Sequence, residues 1–159
     1  MDWLDKGPIP PLPGRPPGHD DETLGVNFFR TRVEGLKVRG LTLPRTFFGR
    51  YEVSNCVFAD CDLNESTVCW NSWESVDFSA SNLSRSDLRG SIFFRVSFAD
   101  ANLRDCDLRH SQFKSCNFSG TDLFGSTVCR KQEKQLLSAG ASLRGIRWTD
   151  DEGVPPPGG

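Results

Sequence analysis

The chain is 159 residues long, 36% hydrophobic and 25% charged, with a formal net charge of −2 at pH 7. That size suits one domain, and no window approaches the run of about 20 apolar residues that a membrane helix needs. Between positions 24 and 130 the chain holds 13 Lys and Arg against 12 Asp and Glu, a balance that argues against both polyanion mimicry and bulk attraction to nucleic acid.

The chain begins with acidic and proline-rich residues. Asp2 and Asp5 stand where a secretory signal would carry a basic region ahead of an apolar core, so a cytoplasmic location is expected. Six prolines between positions 7 and 18 exclude regular hydrogen-bonded structure. Residues 1–23 therefore read as a Pro-rich arm. Its alternatives are a proline-rich ligand for another domain, or a strip packed along the rest of the molecule through Trp3, Leu4 and Ile9.

From residue 24 to 130 one period dominates. Stepping by five from Phe28 to Val128 meets 21 positions, all large and apolar. Two residues earlier in each unit the chain prefers small or medium residues, such as Cys61, Ser66, Ser81, Ser86, Ala101, Cys106 and Ser111, and Asp or Asn often follows them. Neither the 3.6-residue period of a helix nor the two-residue period of a strand accounts for a strict spacing of five.

The units Ser81-Asn82-Leu83-Ser84-Arg85, Ala101-Asn102-Leu103-Arg104-Asp105 and Cys116-Asn117-Phe118-Ser119-Gly120 resemble the consensus of the pentapeptide-repeat family. That resemblance implies an all-β fold, a right-handed quadrilateral β-helix with four units per coil and the central and small residues pointing inward. Four units per coil predict that residues 20 apart share a face. They do look alike: Leu43, Leu63, Leu83, Leu103 and Leu123 form one series, and Val38, Phe58, Phe78, Phe98 and Phe118 another. Stacked coils bury each other's apolar surface, so stability accumulates along the rod.

After Val128 the frame is interrupted over 131–140, a stretch of helix formers that ends in Gly140. A short helical insertion is expected there, bulging out before final repeats over 141–149 and a flexible tail over 150–159. Leu136 and Leu137 would cap the open end of the solenoid. A two-fold homodimer through that C-terminal end is the alternative.

The six cysteines form no Cys-x-x-Cys pair, so neither a metal site nor any cofactor is expected. Cys56, Cys61, Cys106 and Cys116 fall on inward positions, Cys69 and Cys129 on outward ones. No phosphate loop, nucleophile elbow or metalloprotease motif is present. Asp62, Asp77, Asp87, Asp107 and Asp122 recur at one repeat position, which suits turn hydrogen bonding rather than acid–base chemistry. An enzyme is not expected, and no catalytic residue is assigned.

Function in a solenoid sits on the outward positions. The face centred on Phe58, Phe78, Phe98 and Phe118 is bland, with Ala59, Ser79, Ala99 and Ser119. The face of Val68, Leu88 and Leu108, with its following corner, gathers Phe29, Arg30, Arg50, Trp70, Arg89, Arg109, His110 and Arg130, and the adjoining face adds Phe94 and Arg95. Exposed aromatics and arginines dominate binding hot spots, so this edge is the expected partner-binding site. Its arginines suggest an acidic partner surface.

A non-catalytic protein-binding module follows, acting as a stoichiometric inhibitor or adaptor. An immunity protein neutralising a bacterial toxin is one form of it. The quinolone-resistance branch of the family binds DNA gyrase through an acidic, DNA-like rod, and the near-neutral charge here departs from that pattern. Gyrase binding and a structural scaffold stand as the alternatives, and nucleic acid is a disfavoured partner.

Overall fold

The computed structural model describes residues 27–29, 32–49 and 52–149. The arm over 1–23 and the tail over 150–159 lie outside the described residues, as do Arg30 and Arg50. Within them the chain winds as a β-solenoid of about six turns, the right-handed four-sided β-helix that the period implies. Each side is a short extended stretch, and the chain turns after every fifth residue.

The first face carries β1 (Asn27–Phe29), β4 (Phe47–Gly49), β10 (Thr127–Cys129) and β11 (Arg147–Thr149), joined through single bridges at Thr67, Asp87 and Asp107. The second is a five-stranded parallel sheet of β2 (Val33–Glu34), β5 (Glu52–Ser54), β7 (Ser72–Glu74), β8 (Ile92–Phe94) and β9 (Gln112–Lys114), in that order. The third face holds β3 (Lys37–Arg39) and β6 (Val57–Ala59), then bridges at Asp77, Ser97 and Asn117. Bridges alone, from Thr42 through Asp62, Asn82 and Asn102 to Asp122, make the fourth. Among the described residues the paired strands and bridges are offset by 20 residues, for example Trp73 opposite Phe93 and Asn82 opposite Asn102.

The turns explain the period of five. From Gly35 to Gly125 the described corner residues take a left-handed conformation, with φ between 52° at Asn55 and 78° at Gly125. A non-glycine residue there loses about 1–2 kcal/mol relative to the right-handed region. Interstrand bonding offsets it: the corner N–H donates to a carbonyl of the next coil, as from Trp70 to Arg89 at 2.9 Å and from Arg85 to Arg104 at 2.9 Å. The Asp or Asn side chain braces the same turn, Asp77 Oδ1 accepting from Ser79 N–H at 2.8 Å and Asn82 Oδ1 from Ser84 N–H at 3.1 Å.

The core is two aromatic columns beside two aliphatic ones. Phe58, Phe78, Phe98 and Phe118 stack with centroids 5.6, 5.5 and 5.0 Å apart. Trp73, Phe93 and Phe113 stack on the neighbouring side, and the columns meet edge to face, as for Phe93 and Phe98 at 5.4 Å. The small inward residues have a polar task. Ser91 Oγ accepts from Asn71 N–H at 3.1 Å and donates to the Val68 carbonyl at 2.8 Å, closing backbone groups that burial would otherwise leave unpaired. Cys106 serves the same carbonyl geometry, its thiol donating to Leu83 at 3.0 Å.

The C-terminal helix differs from the expected bulge. A 3-10 turn (Arg130–Gln132) leads into α1 (Glu133–Ser138), and together they replace the second and third sides of the last coil. The chain then resumes on the fourth side near Leu143 and on the first with β11. Phe113 N–H donates to Gln135 Oε1 at 3.0 Å and Phe118 N–H to the Ala139 carbonyl at 2.8 Å, so the helix closes the sheet edges it covers. Leu136 is fully buried, but Leu137 is 55% exposed and does not cap the end. Cys129 is buried rather than outward, at the point where the 3-10 turn folds back and Gln132 Oε1 accepts its N–H at 2.7 Å.

Candidate partner-binding surface

Trp70, Gly90 and His110 lie one above another at the corner between the first and second faces, each 20 residues from the next. Their left-handed backbone (φ 59°, 65° and 65°) aims the Cα substituents along the rod's edge. Gly90 leaves a notch there, and the Trp70 ring lies in it: a Cβ built at Gly90 would stand 1.9 Å from Trp70 Cζ3 and 2.0 Å from Cε3. Trp70 Nε1 and His110 Nε2 are shielded from solvent and have no hydrogen-bond partner among the described residues.

Arg89 and Arg109 precede Gly90 and His110, and both are tied down. Arg89 donates through Nε and Nη2 to the two carboxylate oxygens of Asp87 at 2.9 and 2.7 Å, and Arg109 does the same to Asp107 at 2.9 and 2.8 Å. Arg89 Nε also lies 3.7 Å from Asp107, which links the pairs into a ladder. The Asp87 hydrogen bond raises the Arg89 pKa further above its ordinary value. This edge therefore presents guanidinium–carboxylate forks rather than the bare positive charge expected from its arginines. Fixed planar donors with little rotamer freedom left to lose suit recognition of a polar, near-neutral partner surface.

Arg130 stands at the end of the same column with its guanidinium 4.6 Å from the Trp148 ring centroid. Phe94 and Arg95 belong to the next side, Phe94 half-buried on β8 and Arg95 at the following corner, 4.7 Å over its ring. The structure thus gathers Trp70, Arg89, Arg109, His110 and Arg130 on one edge and sets Phe94 and Arg95 around the bend. Phe29 ends β1 on the first face, and its side chain lies outside the described residues.

A second surface escaped sequence reasoning. On the fourth face Phe124 is 48% exposed and lies over Gly145, with Arg104 stacked 4.8 Å from its ring and paired to Asp122 at 3.1 Å. Arg104, Asp122 and Phe124, with Ser142 and Arg144, line an open groove of about 470 Å³. The signal was available, since Phe124 is an aromatic at an outward position just as Trp70 is.

Cys69 sits under the ladder. Burial, reinforced by the Asp87 carboxylate, pushes its pKa up to about 12, and burial pushes Cys106 to about 12 as well. At pH 8 each should hold about a thousandfold less thiolate than an ordinary cysteine. Iodoacetamide is expected to spare both in the native protein and to label all six cysteines in urea, as read by mass spectrometry. Labelling of native Cys69 at the rate of a free thiol would mean that this corner opens. Among the described residues no group of three or more His, Cys, Asp and Glu is placed to hold a metal ion, and no helix is long and apolar enough to cross a membrane.

The family model described as pentapeptide repeats matches in eight copies, over 74–109 and 91–127. Several solved structures are similar to this chain. A pentapeptide repeat protein of the Arabidopsis thaliana thylakoid lumen is 20% identical, with 68% of this chain and 75% of that one covered and a TM-score of 0.47. HetL of Nostoc sp. strain PCC 7120, involved in heterocyst differentiation regulation, is 11% identical over 68% and 76%, at 0.41. QnrB1, a plasmid-mediated fluoroquinolone resistance protein, is 18% identical over 78% and 87%, at 0.22. The search of curated proteins found no match.

Proposed function

We propose that this chain, which matches the pentapeptide-repeat model over 74–109 and 91–127, works without catalysis, as a rigid protein-binding rod that inhibits or adapts a partner stoichiometrically. The observation that carries this reading is the Trp70–His110 edge. There a tryptophan seated on Gly90 and two forked arginines are held in place by the fold before any partner arrives. Binding then orders few side chains, which favours tight complexes from a modest surface. Neutralisation of an enzyme, a bacterial toxin among the candidates, is the form of inhibition this edge suits.

The test compares affinity capture from the source cells by the wild-type protein and by a Trp70→Ala, Arg89→Ala double variant, with retained proteins identified by mass spectrometry and their affinities measured. The expected result is a stoichiometric partner whose affinity falls at least about 30-fold in the variant, the scale of lost hot-spot contacts. Circular dichroism should stay unchanged. Equal capture by both proteins would remove this edge from the interaction.

A further inference from the structure

The second face has its own pattern, independent of the Trp70 edge. Its central strand β8 turns Ile92 outward at 45% exposure, with Phe94 beside it. One coil toward the N-terminus stand Ser72 and the exposed Glu74, and one coil toward the C-terminus stand Gln112 and the exposed Lys114. Beyond Glu74 the face continues with exposed Glu52, paired to Arg32 at 2.7 Å, and exposed Glu34. Beyond Lys114 comes α1 with exposed Glu133 and Lys134. Across β7, β8 and β9 the face therefore runs from acidic Glu74 through apolar Ile92 and Phe94 to basic Lys114.

We propose that this face is the contact surface of a homodimer, two copies packed face to face with their rods antiparallel. A two-fold axis lying along β8 sets Ile92 on Ile92 and Phe94 on Phe94. It also carries β7 of one copy over β9 of the other, so Glu74 meets Lys114 of the second copy twice, and Ser72 meets Gln112. An isologous interface must be complementary to itself, and this arrangement of charges is. Turning the axis along the rod would lay the acidic end on the acidic end and the basic on the basic, which like-charge repulsion disfavours. Parallel strands in the two sheets also keep the aligned orientation in which flat sheets pack, about 10 Å apart.

The contact is small. Five strands at about 4.8 Å spacing and of at most three residues give a platform of roughly 19 by 10 Å, well under the ~800 Å² per partner of a stable complex. The dimer is accordingly weak and concentration-dependent; it leaves the first face free for another protein and sets the Trp70–His110 corner at the rim of the contact.

Sedimentation velocity on the full chain, from micromolar to sub-millimolar concentrations at low salt, tests it by charge exchange. Glu74→Lys alone and Lys114→Glu alone should each weaken dimerisation at least about tenfold, because each creates two like-charged pairs. The two substitutions together should restore it to within about threefold of wild type. Ile92→Glu should leave monomer at every concentration. All three substituted positions are exposed, and circular dichroism verifies that each of the four variants folds. A wild-type protein that stays monomeric throughout would overturn the proposal. So would a dimer indifferent to these exchanges, which would place the contact at the C-terminal end.

Discussion

Replacing Phe98 by alanine is expected to destabilise the fold by about 3–5 kcal/mol, the range for a large aromatic removed from a close-packed core. Phe98 is fully buried, stacked between Phe78 at 5.5 Å and Phe118 at 5.0 Å, and it meets Phe93 edge to face at 5.4 Å. The loss is more than one side chain's burial. In a solenoid each coil is held chiefly by its neighbours, so a cavity in a middle coil weakens the coupling between the two halves. Urea unfolding followed by circular dichroism should show a lower midpoint, with a broadened transition if the halves separate. Leu137→Ala, at a residue 55% exposed, supplies the control and should change stability by less than about 0.5 kcal/mol. A Phe98→Ala effect as small as that control would mean that the aromatic column is not what holds the coils together.

Gly90→Ala is the second large effect, and it joins the core argument to the binding edge. The left-handed backbone is not the main obstacle, since thirteen described non-glycine residues adopt it. Space is. The new methyl would sit 1.9 Å from Trp70 Cζ3, far inside contact distance, and the neighbouring ring atoms are no further than 2.4 Å. The indole must therefore swing out into solvent or the corner must shift, and a destabilisation of about 1–3 kcal/mol is expected from such overpacking. The emission of Trp70 should move to longer wavelength and become accessible to iodide, and partner binding should fall with the loss of its seated ring. A double-mutant cycle isolates the clash: with Trp70→Ala already present, Gly90→Ala should cost only about 1 kcal/mol of backbone strain. Additive effects in that cycle would show that the ring does not occupy the notch.

Much of this molecule is legible without coordinates because its regularity is local. A large apolar residue every fifth position, from Phe28 to Val128, specifies which side chains face inward, and the 20-residue likeness of Leu63, Leu83 and Leu103 specifies which ones stack. The Asp and Asn residues at the recurring second position also declare their turn role, since an Asx bond such as Asp77 to Ser79 spans only two residues.

What the period cannot express is how outward side chains settle against coils above and below. Arg89 and Arg109 were legible as an arginine edge, but whether they point free or fork onto Asp87 and Asp107 depends on rotamers chosen among several nearby carboxylates. Trp70 could be placed at a corner from its number, while its seat on Gly90 arises only when residues 20 apart are brought into register. The helix over 131–140 was likewise visible in composition. That it replaces two sides of a coil, burying Leu136 and leaving Leu137 outside, is decided by the edges of β9 and of the Phe118 coil, whose free N–H groups it must satisfy. Sequence alone determined the repeating interior, because one short-range rule is restated in every unit. Tertiary structure alone decided the surface, because each outward residue chooses among partners supplied by other coils.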